Sequence, residues 1–142
     1  MVFLDSSVLI TAVLSSRGGS FYILTQLRGE CEFQINDYVF EETKRILDSK
    51  FLSTPELKTK LFLLMGASDV RTLSNPLKKE IKIAAKIIAK EDAPILASAI
   101  KHSSYLLTLD NDFLKEEVLR FAQQGGLIIL KPREFINIFR PS

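Results

Sequence analysis

The chain is poor in the residues that act as nucleophiles or form cross-links. It has one cysteine, Cys31, one histidine, His102, and no tryptophan among its 142 residues. A lone cysteine forms neither a disulfide framework nor a zinc cluster, so we expect a protein of the reducing cytoplasm. A serine or cysteine nucleophile needs a neighbouring base, and His102 has no obvious partner; we interpret it as a surface residue at a helix end.

Long apolar segments and glycine-rich phosphate loops are also missing. The apolar stretch at residues 8–14 follows Asp5 and ends before Arg17, so we predict neither a signal peptide nor a membrane span. The glycine pairs at 18–19 and 125–126 are typical of turns and not of a P-loop. These absences argue against a membrane protein and against a P-loop nucleotide hydrolase.

Predicted strands alternate with predicted helices along the chain. The strands are residues 2–5, 32–35, 70–73, 105–109 and 127–130. The helices are one capped by Ser20, one capped by Asn36 and Asp37 that runs through 39–47, and those at 6–14, 54–65, 75–89, 92–101 and 132–139. This order predicts one domain over residues 1–142, with an α/β fold and a three-layer α/β/α sandwich around a central parallel sheet.

Asp5 and Asp110 each follow a short apolar run, at residues 2–4 and 105–109. Such runs are typical of strands buried on both faces, and open α/β sheets bind ligands at the carboxyl ends of their strands. Two carboxylates at that edge suggest a metal ion. Taken alone, either residue is better explained as an aspartate that ends a strand and begins a turn.

Helical phase selects two further acids. Asp92 projects close to the middle of the apolar stripe of its helix, in the first turn, where backbone amides stabilise an anion. Glu42 borders the apolar stripe of its helix, whereas Glu41 points away from it, beside Arg45, as in a surface ion pair. Asp92 is equally well explained as a helix cap, and Glu42 as a glutamate at the boundary of the core.

Three polar residues complete the predicted site. Asp112 follows Asp110 by two residues, where it would hold a second metal or a metal-bound water, or else cap a short helix at Phe113. Ser7 and Thr108 are near enough in sequence to the acids to orient water or a phosphate. Hydroxyl groups in such places more often satisfy backbone groups.

Several carboxylates without a nucleophile suit a hard cation such as Mg²⁺ or Mn²⁺, which takes oxygen ligands and binds phosphates. One ion activates water for attack on a phosphodiester, and a second stabilises the leaving oxygen. The net charge of +2 comes from 19 basic and 17 acidic residues; without the five candidate acids, 19 minus 12 gives +7. An acidic site on an otherwise basic surface is typical of a protein that attracts a polyanion and cleaves it at a bound metal.

Four segments resemble, in order, the motifs of the PIN-domain family, metal-dependent ribonucleases that include the VapC-type toxins of toxin–antitoxin pairs. They are residues 4–10 around Asp5, 42–47 from Glu42, 91–99 around Asp92 and 107–112 around Asp110, and the segment 130–135 is also similar. Ser7 departs from the family pattern, because many members carry asparagine there. The hydroxyl group of Ser7 can form hydrogen bonds in place of the asparagine side-chain amide.

The resemblance implies a Mg²⁺- or Mn²⁺-dependent endoribonuclease that cuts RNA, often as a homodimer, and that an antitoxin protein restrains in the toxin members. We expect Asp5, Glu42, Asp92 and Asp110 to be catalytic and to bind the metal, with Asp112 assisting. Ser7 and Thr108 would support them.

A row of lysines at every fourth position predicts a track along which RNA phosphates reach Asp92. The row consists of Lys78, Lys82, Lys86 and Lys90 on one predicted helix. Rows of this kind are more often a solvated helix face. Residues 61–65 are apolar around more than one side of their helix, which indicates either a dimer contact or a well-buried helix.

Two other functions compete with the nuclease. A non-catalytic RNA-binding or scaffold protein would keep the fold and bind divalent ions poorly. A phospho-receiver or an acid-nucleophile phosphatase also places an aspartate at a strand end. The receiver needs paired acids earlier in the chain, and the phosphatase needs a second aspartate where this chain has Ser7.

Overall fold

The computed structural model describes residues 1–139, which fold around a sheet of five parallel strands. These are β1 (Val2–Leu4), β2 (Phe33–Asn36), β3 (Arg71–Leu73), β4 (Tyr105–Leu107) and β5 (Ile128–Leu130). Their order across the sheet is β3, β2, β1, β4, β5, and all neighbours are parallel. Because β1 is central, its carboxyl end lies beside the ends of β2 and β4.

Helices cover this sheet and connect its strands, which confirms the predicted α/β/α fold. They are α1 (Ser6–Leu14), α2 (Gly19–Gln26), α3 (Asp37–Lys50), α4 (Glu56–Ala67), α5 (Lys78–Ala84), α6 (Ala93–His102), α7 (Glu116–Gln124), α8 (Pro132–Phe139) and a short 3₁₀ helix (Asn111–Leu114). Helix α1 packs against α2, α3 and α4, while α5 packs against α6. The sequence analysis did not predict α7.

The core is built from strand residues that are buried on both faces of the sheet. Every residue of β1 and β2 is buried, and Phe3, Phe33, Phe113 and Phe135 are among the largest side chains that are fully enclosed. Burial of one such side chain contributes about 1.5–3 kcal/mol, so the core holds the strand ends in fixed positions. The edge strand β3 is largely exposed.

Two of the predicted helices differ clearly from the structure. Helix α2 begins at Gly19 after Gly18, and Ser20 does not cap it; its hydroxyl lies 2.7 Å from that of Thr11 instead. Helix α5 ends at Ala84 and not at residue 89. Beyond Ala84 the chain continues in hydrogen-bonded turns, since the Ile87 and Ile88 amides donate to the Ala84 carbonyl at 3.0 and 3.1 Å, and Ile88 is buried in the core.

Helix α4 is apolar on its outer face as well as on its core face. Leu61 and Leu64 are buried, but Leu63 is 70% exposed and Phe62 47% exposed. The interpretation of residues 61–65 as a well-buried helix is therefore wrong, and the dimer contact stays a prediction. Within residues 1–139 no single helix is long and apolar enough to cross a membrane, although α1 and α2, bent by 93°, would pass that test together.

Candidate metal centre

Asp5 lies at the junction of β1 and α1, where it is fixed by the backbone. Its amide donates to the carbonyl of Leu107 at 3.0 Å, which joins the end of β1 to β4. Its Oδ1 accepts the amide hydrogen of Ser6 at 2.8 Å, so the carboxylate caps α1. The side chain is almost completely buried. A buried charge is stable only when it is well paired, so this residue needs strong partners.

Two hydroxyl groups supply such partners at Asp5 Oδ2. Thr108 donates to it at 2.7 Å and Ser7 at 3.0 Å. Burial raises the pKa of Asp5, the hydrogen bonds from Thr108, Ser7 and the Ser6 amide lower it, and the charge of Glu42 raises it. Ser7 and Thr108 thus orient a carboxylate; their predicted contact with water or a phosphate stays a prediction.

Glu42 lies on α3, whose start is tied to the start of α6. Asn36 Oδ1 accepts the amide hydrogen of Val39 at 3.1 Å and so caps α3. The side-chain nitrogen Nδ2 of Asn36 donates to Ser98 Oγ at 2.8 Å and to the Pro94 carbonyl at 3.2 Å, both on α6. The Ser6 hydroxyl donates to Glu42 Oε1. This serine is a site residue that the sequence analysis missed.

The ion pairs of α3 differ from those expected. Glu41, whose side chain is 68% exposed, pairs with Lys44 at 3.0 Å, while Arg45 lies 3.8 Å from Glu42. The predicted pairing of Glu41 with Arg45 is wrong. Lys44 also lies over the ring of Phe40, 4.4 Å from its centroid, a contact that keeps its ammonium group beside Glu41. The Arg45 guanidinium therefore lies beside Glu42 and not beside Glu41.

Asp92, Asp110 and Asp112 form the tightest acidic cluster among the described residues. One carboxylate oxygen of each lies within 4.8 Å of the others. The loop that carries two of them is held by its own hydrogen bonds: the Asp110 amide donates to Thr108 Oγ1 at 3.0 Å, and Asp110 Oδ1 accepts from the Asp112 amide at 2.9 Å. Asp110 therefore caps the 3₁₀ helix, a role that the sequence analysis gave to Asp112 as its alternative to metal binding.

The Asp92 carboxylate does not act as a helix cap in the described part of the chain. Asp92 precedes α6, but its side chain makes no capping hydrogen bond. Partial burial, and then the charges of Asp110, Asp5, Glu42 and Asp112, raise its pKa to about 7. Its charge is thus opposed by four other carboxylates, and a bound cation would remove that repulsion.

These acids line an open crevice of about 510 Å³ at the carboxyl end of the sheet. Asp5, Glu42, Asp92 and Asp110 line it, and the exposed Asp112 lies beside Asp92 and Asp110. Lys50, the last residue of α3, also lines the crevice. Sequence reasoning missed this lysine because nothing in its neighbourhood along the chain distinguishes it from other surface lysines.

The predicted lysine track is interrupted. Helix α5 contains Lys78 and Lys82 but ends before Lys86 and Lys90, so their placement on one helix is wrong. All four are exposed. Their contact with RNA stays a prediction.

The residues present fit a small hard cation. Every charged group in the cluster is a carboxylate, and oxygen ligands are those that Mg²⁺ and Mn²⁺ prefer. An octahedral Mg²⁺ with bonds of about 2.1 Å places its ligand oxygens about 3 to 4.2 Å apart. The 4.8 Å cluster needs only a small contraction to reach that geometry.

Comparison with known proteins relates the chain to one family and one fold. A family model described as PIN domain matches residues 3–123. One similar solved structure is VapBC2 from Rickettsia felis, bound to a DNA fragment from its promoter. It matches with a TM-score of 0.70 and 17% identity, over 92% of this chain and 98% of that one. FitAcB from Neisseria gonorrhoeae matches with a TM-score of 0.59 and 19% identity, over 94% and 99%. At these identities the likeness shows the fold alone. No curated protein matches the chain.

Proposed function

The chain belongs to the PIN-domain family, and we propose that it is a metal-dependent endoribonuclease that hydrolyses RNA phosphodiester bonds. PIN domains are generally nucleases that use divalent metals. The observation that carries the proposal is that four carboxylates line one crevice and that a fifth, on Asp112, lies within 4.8 Å of two of them. Such a concentration of negative charge destabilises the protein unless a cation occupies it.

We assign metal binding to Asp92, Asp110 and Asp112, with Asp5 and Glu42 completing the ligand set for Mg²⁺ or Mn²⁺. The bound ion would lower the pKa of an attacking water and offset charge on the phosphate. The chain supplies the rigidity: the hydroxyl groups of Thr108 and Ser7 hold Asp5, and that of Ser6 holds Glu42. Lys50, at the crevice, is positioned to bind a phosphate oxygen.

We further propose that the protein is the cytoplasmic toxin of a toxin–antitoxin pair. The support is its likeness to the toxin–antitoxin structures from Rickettsia felis and Neisseria gonorrhoeae. An adjacent small reading frame whose product binds and inhibits the protein would establish the antitoxin.

The exposed outer face of α4 is the proposed homodimer contact. Leu63 and Phe62 give it a large apolar area, which is unusual on the surface of a monomer. Leu63→Lys should shift the protein toward monomer in light scattering. Leu52→Lys removes another exposed leucine, 80% exposed and outside α4, and serves as the control.

The decisive experiment is cleavage of labelled RNA by purified protein with EDTA, Mg²⁺ or Mn²⁺. Cleavage should require metal, and Asp110→Asn should abolish it because the variant loses a charged ligand. Asp48→Asn is the matched control, since Asp48 is an exposed aspartate paired with Lys58 away from the crevice. Equal cleavage by wild type and Asp110→Asn, in preparations free of host nuclease, would refute the assignment.

A protein that binds RNA without cutting it would support the alternative of a non-catalytic RNA-binding or scaffold protein. Calorimetric titration with Mn²⁺ separates the two functions. The nuclease should bind the ion, and the Asp110→Asn variant should bind it much more weakly; a scaffold protein should show little binding in either form.

A further inference from the structure

Two further crevices flank the acid crevice and share residues with it. On one side, Glu42 also lines a crevice of about 580 Å³ between the starts of α3 and α6. On the other side, Thr11 and Leu109 also line a groove of about 800 Å³ between α2 and α8. The acid crevice therefore adjoins both depressions at these shared residues, and a chain molecule bound at the acids has two possible directions in which to leave.

The two flanking crevices differ in charge. The one beside Glu42 has four carboxylates against two cations, a net charge of −2, from Asp37, Glu41, Glu42 and Glu91 against Arg45 and Lys90. The α2–α8 groove has two cations against one carboxylate, a net charge of +1, from Lys131 and Arg133 against Glu134. Since each phosphate of a polynucleotide carries a negative charge, its backbone is repelled by the first crevice and attracted by the second.

The cations of the α2–α8 groove are available to a ligand. Lys131 and Arg133 are exposed, and neither forms an ion pair within residues 1–139. Glu134, the opposing carboxylate, is already engaged, because it accepts the Lys131 amide hydrogen at 3.0 Å. Its negative charge is thus held against the backbone at the start of α8.

The walls of this groove are fixed by close helix packing. Gly19 lies where α2 meets α8, and a Cβ atom there would be 3.3 Å from Ile136 Cδ1 and 3.6 Å from Pro132 Cβ. Glycine therefore permits the two helices to approach each other, and the groove is preformed. A preformed site binds a flexible strand with a smaller loss of conformational entropy.

We propose that the backbone of single-stranded RNA leaves the metal centre past Thr11 and Leu109 and enters the α2–α8 groove, where Lys131 and Arg133 bind its phosphates. This assignment rests on the proposed ribonuclease function and names the path of its substrate. It places the phosphate contacts on the side of the site opposite to Lys90, because that lysine shares its crevice with an excess of carboxylates.

The test compares two double variants that remove the same charge. Binding of a fluorescent single-stranded RNA is measured in EDTA, where hydrolysis is blocked, across a salt series. Lys131→Gln with Arg133→Gln should weaken binding several-fold and lower the slope of log K against log salt by about 1.4, or about 0.7 for each lost phosphate contact. Lys79→Gln with Arg71→Gln should leave both quantities near those of the wild type, because both residues are exposed and line none of the three crevices.

Cleavage in Mn²⁺ gives a second readout. The Lys131/Arg133 variant should show a raised KM with kcat unchanged, because both residues bind substrate far from the reacting phosphate. The charge-retaining exchange of Lys131→Arg with Arg133→Lys should restore KM. Thermal melts check that each variant is folded, and Arg133→Gln alone is the substitute if the double variant is not.

The outcomes separate the two proposals. If the wild type cleaves RNA but the Lys131/Arg133 variant binds and cleaves as the wild type does, the path is wrong while the ribonuclease stands. Equal losses in both double variants, or a loss only in the Lys79/Arg71 variant, would also overturn the path. A wild type that neither binds nor cleaves RNA would overturn both proposals.

Discussion

Thr108 donates a hydrogen bond to Asp5, with 2.7 Å between Thr108 Oγ1 and Asp5 Oδ2, although the residues are 103 positions apart in the chain. Thr108 Oγ1 also accepts the amide hydrogen of Asp110 at 3.0 Å. One buried hydroxyl group therefore connects a carboxylate at the end of β1 with the loop after β4. It can do so because β1 and β4 are parallel neighbours in the sheet.

We predict that Thr108→Val lowers both stability and cleavage. The valine leaves a buried carboxylate without a donor and the Asp110 amide without an acceptor, which should cost about 1–3 kcal/mol of unfolding free energy. Urea unfolding and RNA cleavage measure the two effects. Thr108→Ser should preserve both. Thr25→Val is the control, since the Thr25 hydroxyl donates only to the Phe21 carbonyl within α2. A similar loss in all three variants would show that Thr108 has no special role.

A second prediction separates two adjacent glutamates. Glu42→Gln should reduce cleavage at least tenfold, because the amide has no charge with which to bind a cation. Glu41→Gln should change cleavage little, because the Glu41 side chain is 68% exposed and pairs with Lys44 at the surface. Both substitutions keep the size and the helix propensity of the side chain. Initial rates at saturating Mn²⁺ measure the contrast, and equal rates would refute the metal role of Glu42.

Helical phase and strand ends were enough to predict where the acids lie. The periodicity of α3 distinguishes Glu42 from Glu41, and that of α6 places Asp92 toward the core, because both helices pack one face on the sheet. The apolar runs before Asp5 and Asp110 likewise indicate parallel strands whose ends meet, although β4 ends at Leu107 and not at the predicted residue 109. These features depend on residues near one another in the chain.

Other parts of the site depend on contacts between distant segments, and the sequence did not reveal them. The hydrogen bond from Ser6 to Glu42 and the position of Lys50 follow from the packing of α1 against α3. The pairing of Arg45 depends on a choice among side-chain rotamers, which helical phase does not determine. Helix α5 ends at Ala84, and the spacing of the lysines alone does not show where the helix ends.

A third prediction concerns the residue that joins α3 to α6. The Asn36 side chain caps α3 and donates to Ser98 and the Pro94 carbonyl, so it fixes the helices that carry Glu42 and Asp92. Asn36→Asp keeps the cap but removes the donor to Ser98 Oγ and places a carboxylate oxygen against the Pro94 carbonyl oxygen. We expect a loss of about 1–3 kcal/mol in unfolding free energy and weaker Mn²⁺ binding. An unchanged Mn²⁺ affinity would mean that this connection does not position the acids.

The last prediction uses the pKa of Asp92, which rises from its ordinary value of 3.8 to about 7 in the folded protein. Between about pH 4 and 7 the folded state binds more protons than the unfolded state. The stability of the metal-free protein should therefore fall as pH rises through that window and level off above it. Asp92→Asn cannot ionise, so it should flatten this decline. Asp48→Asn should retain it, because Asp48 is exposed and lies outside the acid crevice.

Divalent metal should offset this loss of stability at higher pH in the same protein. Mn²⁺ competes with the proton for Asp92, so its stabilisation should grow with pH and, at about 100 times its dissociation constant, reach about 2.7 kcal/mol. Asp92→Asn should be at least as stable as the wild type in EDTA and should gain less from Mn²⁺. If Asp92 were only a helix cap, asparagine would replace it with little change in either quantity. Thermal melts across pH with EDTA and with a Mn²⁺ series distinguish the two roles, and an identical metal response in wild type and variant would remove Asp92 from the site.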